Sequence, residues 1–214
     1  MKIRKSFGWS LLFILSSAVA LAASGICTGQ IVYGNNGSDL VGQVTNVFGK
    51  KAEIRWQLLD GQPYSGNLSY WDTEDLSAQT RCFGSVCEGN TVYGNNGSDL
   101  VGTANRVFEN GKVEVKWALL DGQSDTGGFS YWNAASLSVQ TSCSGRICAQ
   151  DNVYGNNGSN LVGVAQRVFS NGKVEVRWTT LDGAPYSGNL SYWNSSSLQK
   201  LAPPCGSNGA AACQ

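Results

Sequence analysis

Tyr33, Asn35 and Asn36 stand together in the string VYGNNGS, which the chain writes three times. The second copy supplies Tyr93, Asn95 and Asn96, and the third Tyr154, Asn156 and Asn157. A tyrosine ring beside two carboxamides joins an apolar face to hydrogen-bond donors and acceptors, which is how a surface holds a sugar or a peptide. A bland reading competes with it: Gly34 and Gly37 permit unusual φ and Asn bonds nearby backbone, so the string also makes a turn. A second recurrent aromatic, in the triplet SYW, falls at Trp71, Trp132 and Trp193. Adjacent strand residues point to opposite faces. This Trp is therefore either an exposed stacking platform or a lid folded over the core. Tyr64 and Tyr186 lie in PYSGN loops, where the second copy has Ser124-Asp125. If that Tyr touches ligand, the middle copy binds more weakly.

The recurrent acids are Glu53, Glu114 and Glu175, and Asp60, Asp121 and Asp182. Paired carboxylates can hydrolyse glycosides. Here the Glu residues alternate with Arg55, Lys116 and Arg177 and read as a solvated face, while the Asp residues occupy turn positions that Asp favours. The chain has no His, which excludes His-dependent triads and His-ligated metals. Asp39, Asp99 and Asp60 show no calcium-ligand spacing. The chain is expected to be no enzyme and to need no cofactor or metal.

These residues recur because the whole unit recurs: Tyr33, Tyr93 and Tyr154 mark copies at 27–82, 87–143 and 148–205, before a Gly/Ala-rich tail at 206–214. A fixed period of this kind signals a repeat architecture. In KVEVKW, Val113, Val115 and Trp117 alternate with Glu114 and Lys116, the period of a β-strand. Asn110-Gly111 and Asn171-Gly172 predict tight hairpin turns before such strands, and the first copy is one residue shorter there, at Phe48-Gly49-Lys50. Leu-Asp-Gly gives a second turn, and no window carries a helical period. Trp56, Trp117 and Trp178 are expected in the core.

The order VYG, the hairpin VFENGKVEVKW, the turn LDG and the closing LSYWNSSSL resembles SH3-like barrels, including Tudor-like and bacterial SH3 modules. The resemblance is at the level of fold. It implies an all-β protein of three tandem five-stranded SH3-like small barrels; a different small β-meander is the alternative. In an SH3-like barrel the first and last strands are neighbours. Cys27–Cys82, Cys87–Cys143 and Cys148–Cys205 would then each clasp one barrel, contributing about 4 kcal/mol in the chain-entropy model. The rival scheme pairs Cys82–Cys87, Cys143–Cys148 and Cys205–Cys213 and frees Cys27. Under the first scheme Cys213 is the spare thiol, open to an intermolecular disulfide.

Residues 1–22 read as a secretory signal: Lys2, Arg4 and Lys5, then an apolar run to Leu21, then small residues around Ala22. Its loss leaves 12 basic against 15 acidic residues, a net charge of −3. A weakly acidic chain lacks the electrostatic footprint of a nucleic-acid binder, and no later run is long enough to insert in a membrane. The expectation is a secreted or periplasmic trivalent binder. Each copy would hold a repetitive glycan or protein polymer on one shallow site, built from Tyr33, Asn35, Asn36 and Trp71 or their equivalents. A structural envelope spacer or assembly subunit, and an inhibitor of a secreted enzyme, are the other readings.

Overall fold

The computed structural model describes residues 25–202; the expected signal at 1–22, Cys205, Cys213 and the tail lie outside them. The chain is all-β, apart from three one-turn 3-10 helices. In the first unit the principal strands are Ile31–Asn35, Asp39–Phe48, Lys51–Leu59, Ser69–Asp72 and Ser77–Thr80. The first four pair consecutively and antiparallel. After the 3-10 turn Thr73–Asp75, the fifth returns to the first, with Val32 opposite Ala78. The same order recurs in Thr91–Asn95, Asp99–Phe108, Lys112–Leu120, Phe129–Asn133 and Ser138–Thr141. It recurs again in Asn152–Asn156, Asn160–Phe169, Lys173–Leu181, Ser191–Asn194 and Gln199–Lys200. Among the described residues no ladder joins the fourth strand of a unit to its fifth, so no closed barrel forms.

Local chemistry accounts for the hairpins. Gly111 and Gly172 take φ of 80° and 86° in the Asn-Gly turns, where a side chain would be strained. The first unit turns on Gly49-Lys50 alone, with Phe48 opposite Lys51. Asp60, Asp121 and Asp182 all sit at φ 47°, a left-handed conformation that Asp tolerates better than most residues. In each unit the alternating Val, Ile or Ala of the third strand and the recurrent Trp56, Trp117 or Trp178 form a separate apolar core.

The opposite face of the third strand corrects the sequence reading. Glu114 and Glu175 are 0% and 1% exposed, and Glu53 is buried too. None forms a solvated face. The period of two is real, but in the two downstream units the second face of the strand is covered at its glutamate, beside the preceding unit, and open to solvent further along, at Lys116 and Ala118 or Arg177 and Thr179. Burial of these carboxylates is compensated: Arg106 Nη1 donates to both oxygens of Glu114 at 2.9 and 3.1 Å, and the Tyr131 hydroxyl donates at 2.9 Å. Arg167 and Tyr192 serve Glu175 in the same way. Among the described residues no unit precedes the first. There Thr45, Asn46 and Tyr70 satisfy Glu53 without an arginine.

The units are also joined through backbone. The fifth strand of the first unit runs on to pair with the second strand of the next, placing Gln79 opposite Phe108 and Thr80 opposite Val107. The second junction repeats this with Gln140 opposite Phe169. Beyond the fifth strand the chain folds into a short hairpin that sets its cysteine directly opposite the one opening the next unit, so the expected clasps Cys27–Cys82, Cys87–Cys143 and Cys148–Cys205 are not formed. The disulfides are Cys82–Cys87 and Cys143–Cys148. Each closes a two-residue ladder in which the two cysteines stand directly opposite, with Cα atoms 4.0 and 3.9 Å apart. So short a loop is worth about 2 kcal/mol in the chain-entropy model, half of what a clasp would give. Cys27 is exposed and has no disulfide partner among the described residues. The two pairs fit an oxidising, extracellular setting. No helix among the described residues is long and apolar enough to cross a membrane.

Candidate functional site

The string YGNNGS separates into residues that hold the fold and residues that do not. Tyr33 and Tyr93 are 3% exposed and lie on the seam between units. The Tyr33 ring packs 5.5 Å from Phe108 and 5.8 Å from Tyr131, and the Tyr93 ring 5.4 Å from Phe169 and 5.9 Å from Tyr192. They do not form an exposed ligand platform as the sequence suggested. Tyr154, which no following unit covers among the described residues, is half-buried. Gly34 lies beneath the two tryptophans of its unit, where an added Cβ would sit 2.9 Å from Trp56 and 3.1 Å from Trp71. Asn35 is committed to the turn: its Oδ1 accepts from the Gly37 amide, and its Nδ2 donates to the Tyr33 hydroxyl and to Asp39. Asn95 and Asn156 repeat these bonds. Gly37 has φ 106°. The remaining two positions, Asn36 and Ser38, line a surface cleft.

That cleft holds about 400 Å³ in the first unit, and its counterpart in the third holds about 380 Å³. Both are lined at the same positions. Trp71 or Trp193 forms the floor with the core tryptophan, Tyr64 or Tyr186 one wall, and Asn36 with Asn67, or Asn157 with Asn189, the polar rim. The structure thus brings Trp71 to Asn36 and Trp193 to Asn157, as expected, and keeps Tyr33, Asn35 and their equivalents out. Trp71, Trp132 and Trp193 are half-buried: each meets its core partner edge to face, at 5.1 or 5.2 Å. They are both lid and platform. The Ser69 hydroxyl accepts from the Trp56 and Trp71 indole N–H groups at 2.7 and 3.1 Å, so the indoles offer a ligand their carbon surface.

In the middle unit Asp125 and Gly128 stand where Tyr64 and Asn67 line the first cleft. Trp132 and Asn96 are present there without the aromatic wall or the second amide, and Lys116 lies over the Phe129 ring at 5.5 Å. Asn67, Asn189, Ser38 and Ser159 were not singled out from sequence. The signal was the string PYSGNLSYW, shared by the outer copies and broken in the middle one.

The seam tyrosines respond to their surroundings. Burial, reinforced by the bond to Asp99, pushes Tyr93 up to about 12, and burial pushes Tyr33, Tyr131 and Tyr192 up as well. A folded-state pKa above the unfolded value of about 10 gives stability that is complete below pH 10 and is lost as pH rises toward 12. Urea unfolding of the wild type is expected to show a steep loss of stability over that window, and Tyr93→Phe a shallower one. Equal slopes would show that Tyr93 is not buried as described. Among known proteins, no family model and no curated sequence matches the chain.

Proposed function

We propose that the chain is an exported binding protein that holds a glycan polymer through the equivalent clefts of its outer units. We read each unit as an SH3-like barrel left open on one side. The support is the strand order, with a one-turn helix between the fourth and fifth strands and the fifth returning to the first. Export is supported by the leader-like residues 1–22 and by the two disulfides. The observation that carries the function is the recurrence of one cleft at matching positions in the first and third units. Asn36 and Ser38 could be many residues if they served the turn alone.

A half-exposed indole beside a tyrosine wall suits the apolar face of a sugar ring, and the Asn rim suits its hydroxyls. Both clefts are open and shallow, so each binds weakly and the pair gains by avidity on a repeating ligand. The middle unit contributes little, which makes the chain functionally bivalent.

The test is a panel of insoluble cell-wall and surface polysaccharides with matching soluble oligosaccharides, followed by pull-down and calorimetry. The mature chain should be made without N-glycosylation, since Asn36 and Asn67 begin Asn-x-Ser sequons. Tyr64→Ala is expected to weaken its own cleft about tenfold, as loss of an aromatic anchor does. Tyr64→Ala with Tyr186→Ala should abolish polymer retention with the fold intact. Retention undiminished in the double variant, or no binding across the panel, sinks the reading.

A further inference from the structure

Each seam inside the chain joins two distinct faces. The leading unit offers its Tyr, a Val (Val41 or Val101) and the Asp-Gly turn; the following unit offers its Phe, the Tyr of SYW and the backbone two residues before that Tyr, at Phe129 or Leu190. The close approach is backbone to backbone, since a Cβ on Gly61 would collide with the Phe129 carbonyl oxygen and one on Gly122 with that of Leu190. The two seams agree closely in ring geometry, so the contact is a reproducible solution rather than an accident of one linker.

Among the described residues one copy of each face is left unpartnered. On the first unit Phe48 is 57% and Tyr70 64% exposed, whereas Phe108 and Phe169 are fully buried. On the third unit Tyr154 and Val162 are half-buried where Tyr33, Tyr93, Val41 and Val101 are buried, and the space beside Gly183 is open. Repeat arrays that stop at their ends present polar caps there. The leading face here does the reverse and shows two aromatic rings. Each end face has also lost one charged residue, while Glu53 and Asp182 remain: Asn46 stands where Arg106 and Arg167 support the internal seams, and Asn160 where Asp39 and Asp99 do. Asp and Arg are residues water tolerates well, so removing both matches two faces that meet each other.

We infer that a second copy of this chain docks the Phe48–Tyr70 face of its first unit onto the Tyr154–Val162 face of the third, continuing the array head to tail. Such a contact is heterologous and open-ended. It is also weaker than the internal seams, because Thr180 replaces Leu58 and Leu119, and Asn152 replaces Ile31. The association is reversible. It does not depend on the clefts, so Tyr64→Ala with Tyr186→Ala leaves it unchanged.

Sedimentation of the chain lacking residues 1–22, under reducing conditions that remove any role for intermolecular disulfides, tests the contact from micromolar to millimolar concentration. The average mass is expected to climb past that of a dimer. Phe48→Ser with Tyr70→Ser, and separately Val162→Asp, should each give monomers with unchanged circular dichroism. A mixture of the two variants should form heterodimers and nothing larger, since each variant keeps the face the other has lost. A wild type that stays monomeric at millimolar concentration overturns the inference; if removing residues 203–214 then releases association, the chain's own tail occupies the third unit's face instead. Assembly that survives both variants also overturns it, as does a mixture that forms no heterodimer.

Discussion

Phe108→Ala and Phe169→Ala are each expected to cost about 3–5 kcal/mol of unfolding free energy, whereas Phe48→Ala should change it by less than about 0.5 kcal/mol. The three phenylalanines close the same strand in three copies of one unit. Their surroundings differ, because Phe108 and Phe169 are fully buried between units and Phe48 is 57% exposed. Deleting a ring from a filled seam removes its transfer free energy and leaves a cavity that two backbone-linked units cannot readily collapse. Deleting the ring from Phe48 leaves neither. Denaturant unfolding of the reduced monomer at low concentration measures all three. Equal costs would mean that the units do not pack on one another, and would remove the basis of the seam.

Arg106→Ala is expected to cost about 3 kcal/mol or more, because it leaves the Glu114 carboxylate, 0% exposed, without its cation. Tyr131 and Asn105 still donate to it, but neither carries charge. The ion pair itself is not expected to be a net source of stability. Arg106→Met, Glu114→Leu and Tyr131→Phe together should recover most of the loss, since all three members of the buried network then become apolar at once. Asn105 is exposed and can turn its amide to water. A triple variant as damaged as Arg106→Ala would show that the pair stabilises the seam beyond offsetting its own desolvation. The first unit is a natural comparison: Asn46 replaces the arginine, and Glu53 is held by neutral donors.

The strands and turns were legible because their causes are local. Val113, Val115 and Trp117 alternate along the chain, and Asn110-Gly111 and Asp60-Gly61 dictate their own backbone angles. The cleft was half legible: Trp71 and Asn36 were in view, and so was the difference at Asp125, while Asn67 and Ser38 were hidden among residues that also suit a turn. The seams were not legible. An alternating strand reads the same whether its second face meets water or a neighbour, so Glu114 looked solvated and Tyr33 looked available. The cysteine pairing failed for the same reason. Clasps and staples draw on the same cysteines, and nothing in one copy says that the chain after its last strand folds back on the residues opening the next.

That continuation has a temporal consequence for a polypeptide that emerges from one end. The edge of Ser77–Thr80 is satisfied only when Phe108 and Val107 arrive to lie against it, and Ser138–Thr141 must wait for Phe169. A nascent first copy is therefore incomplete until the second has emerged as far as Phe108. Each newly emerged copy finishes its predecessor, and maturation sweeps along the molecule in the direction of its synthesis.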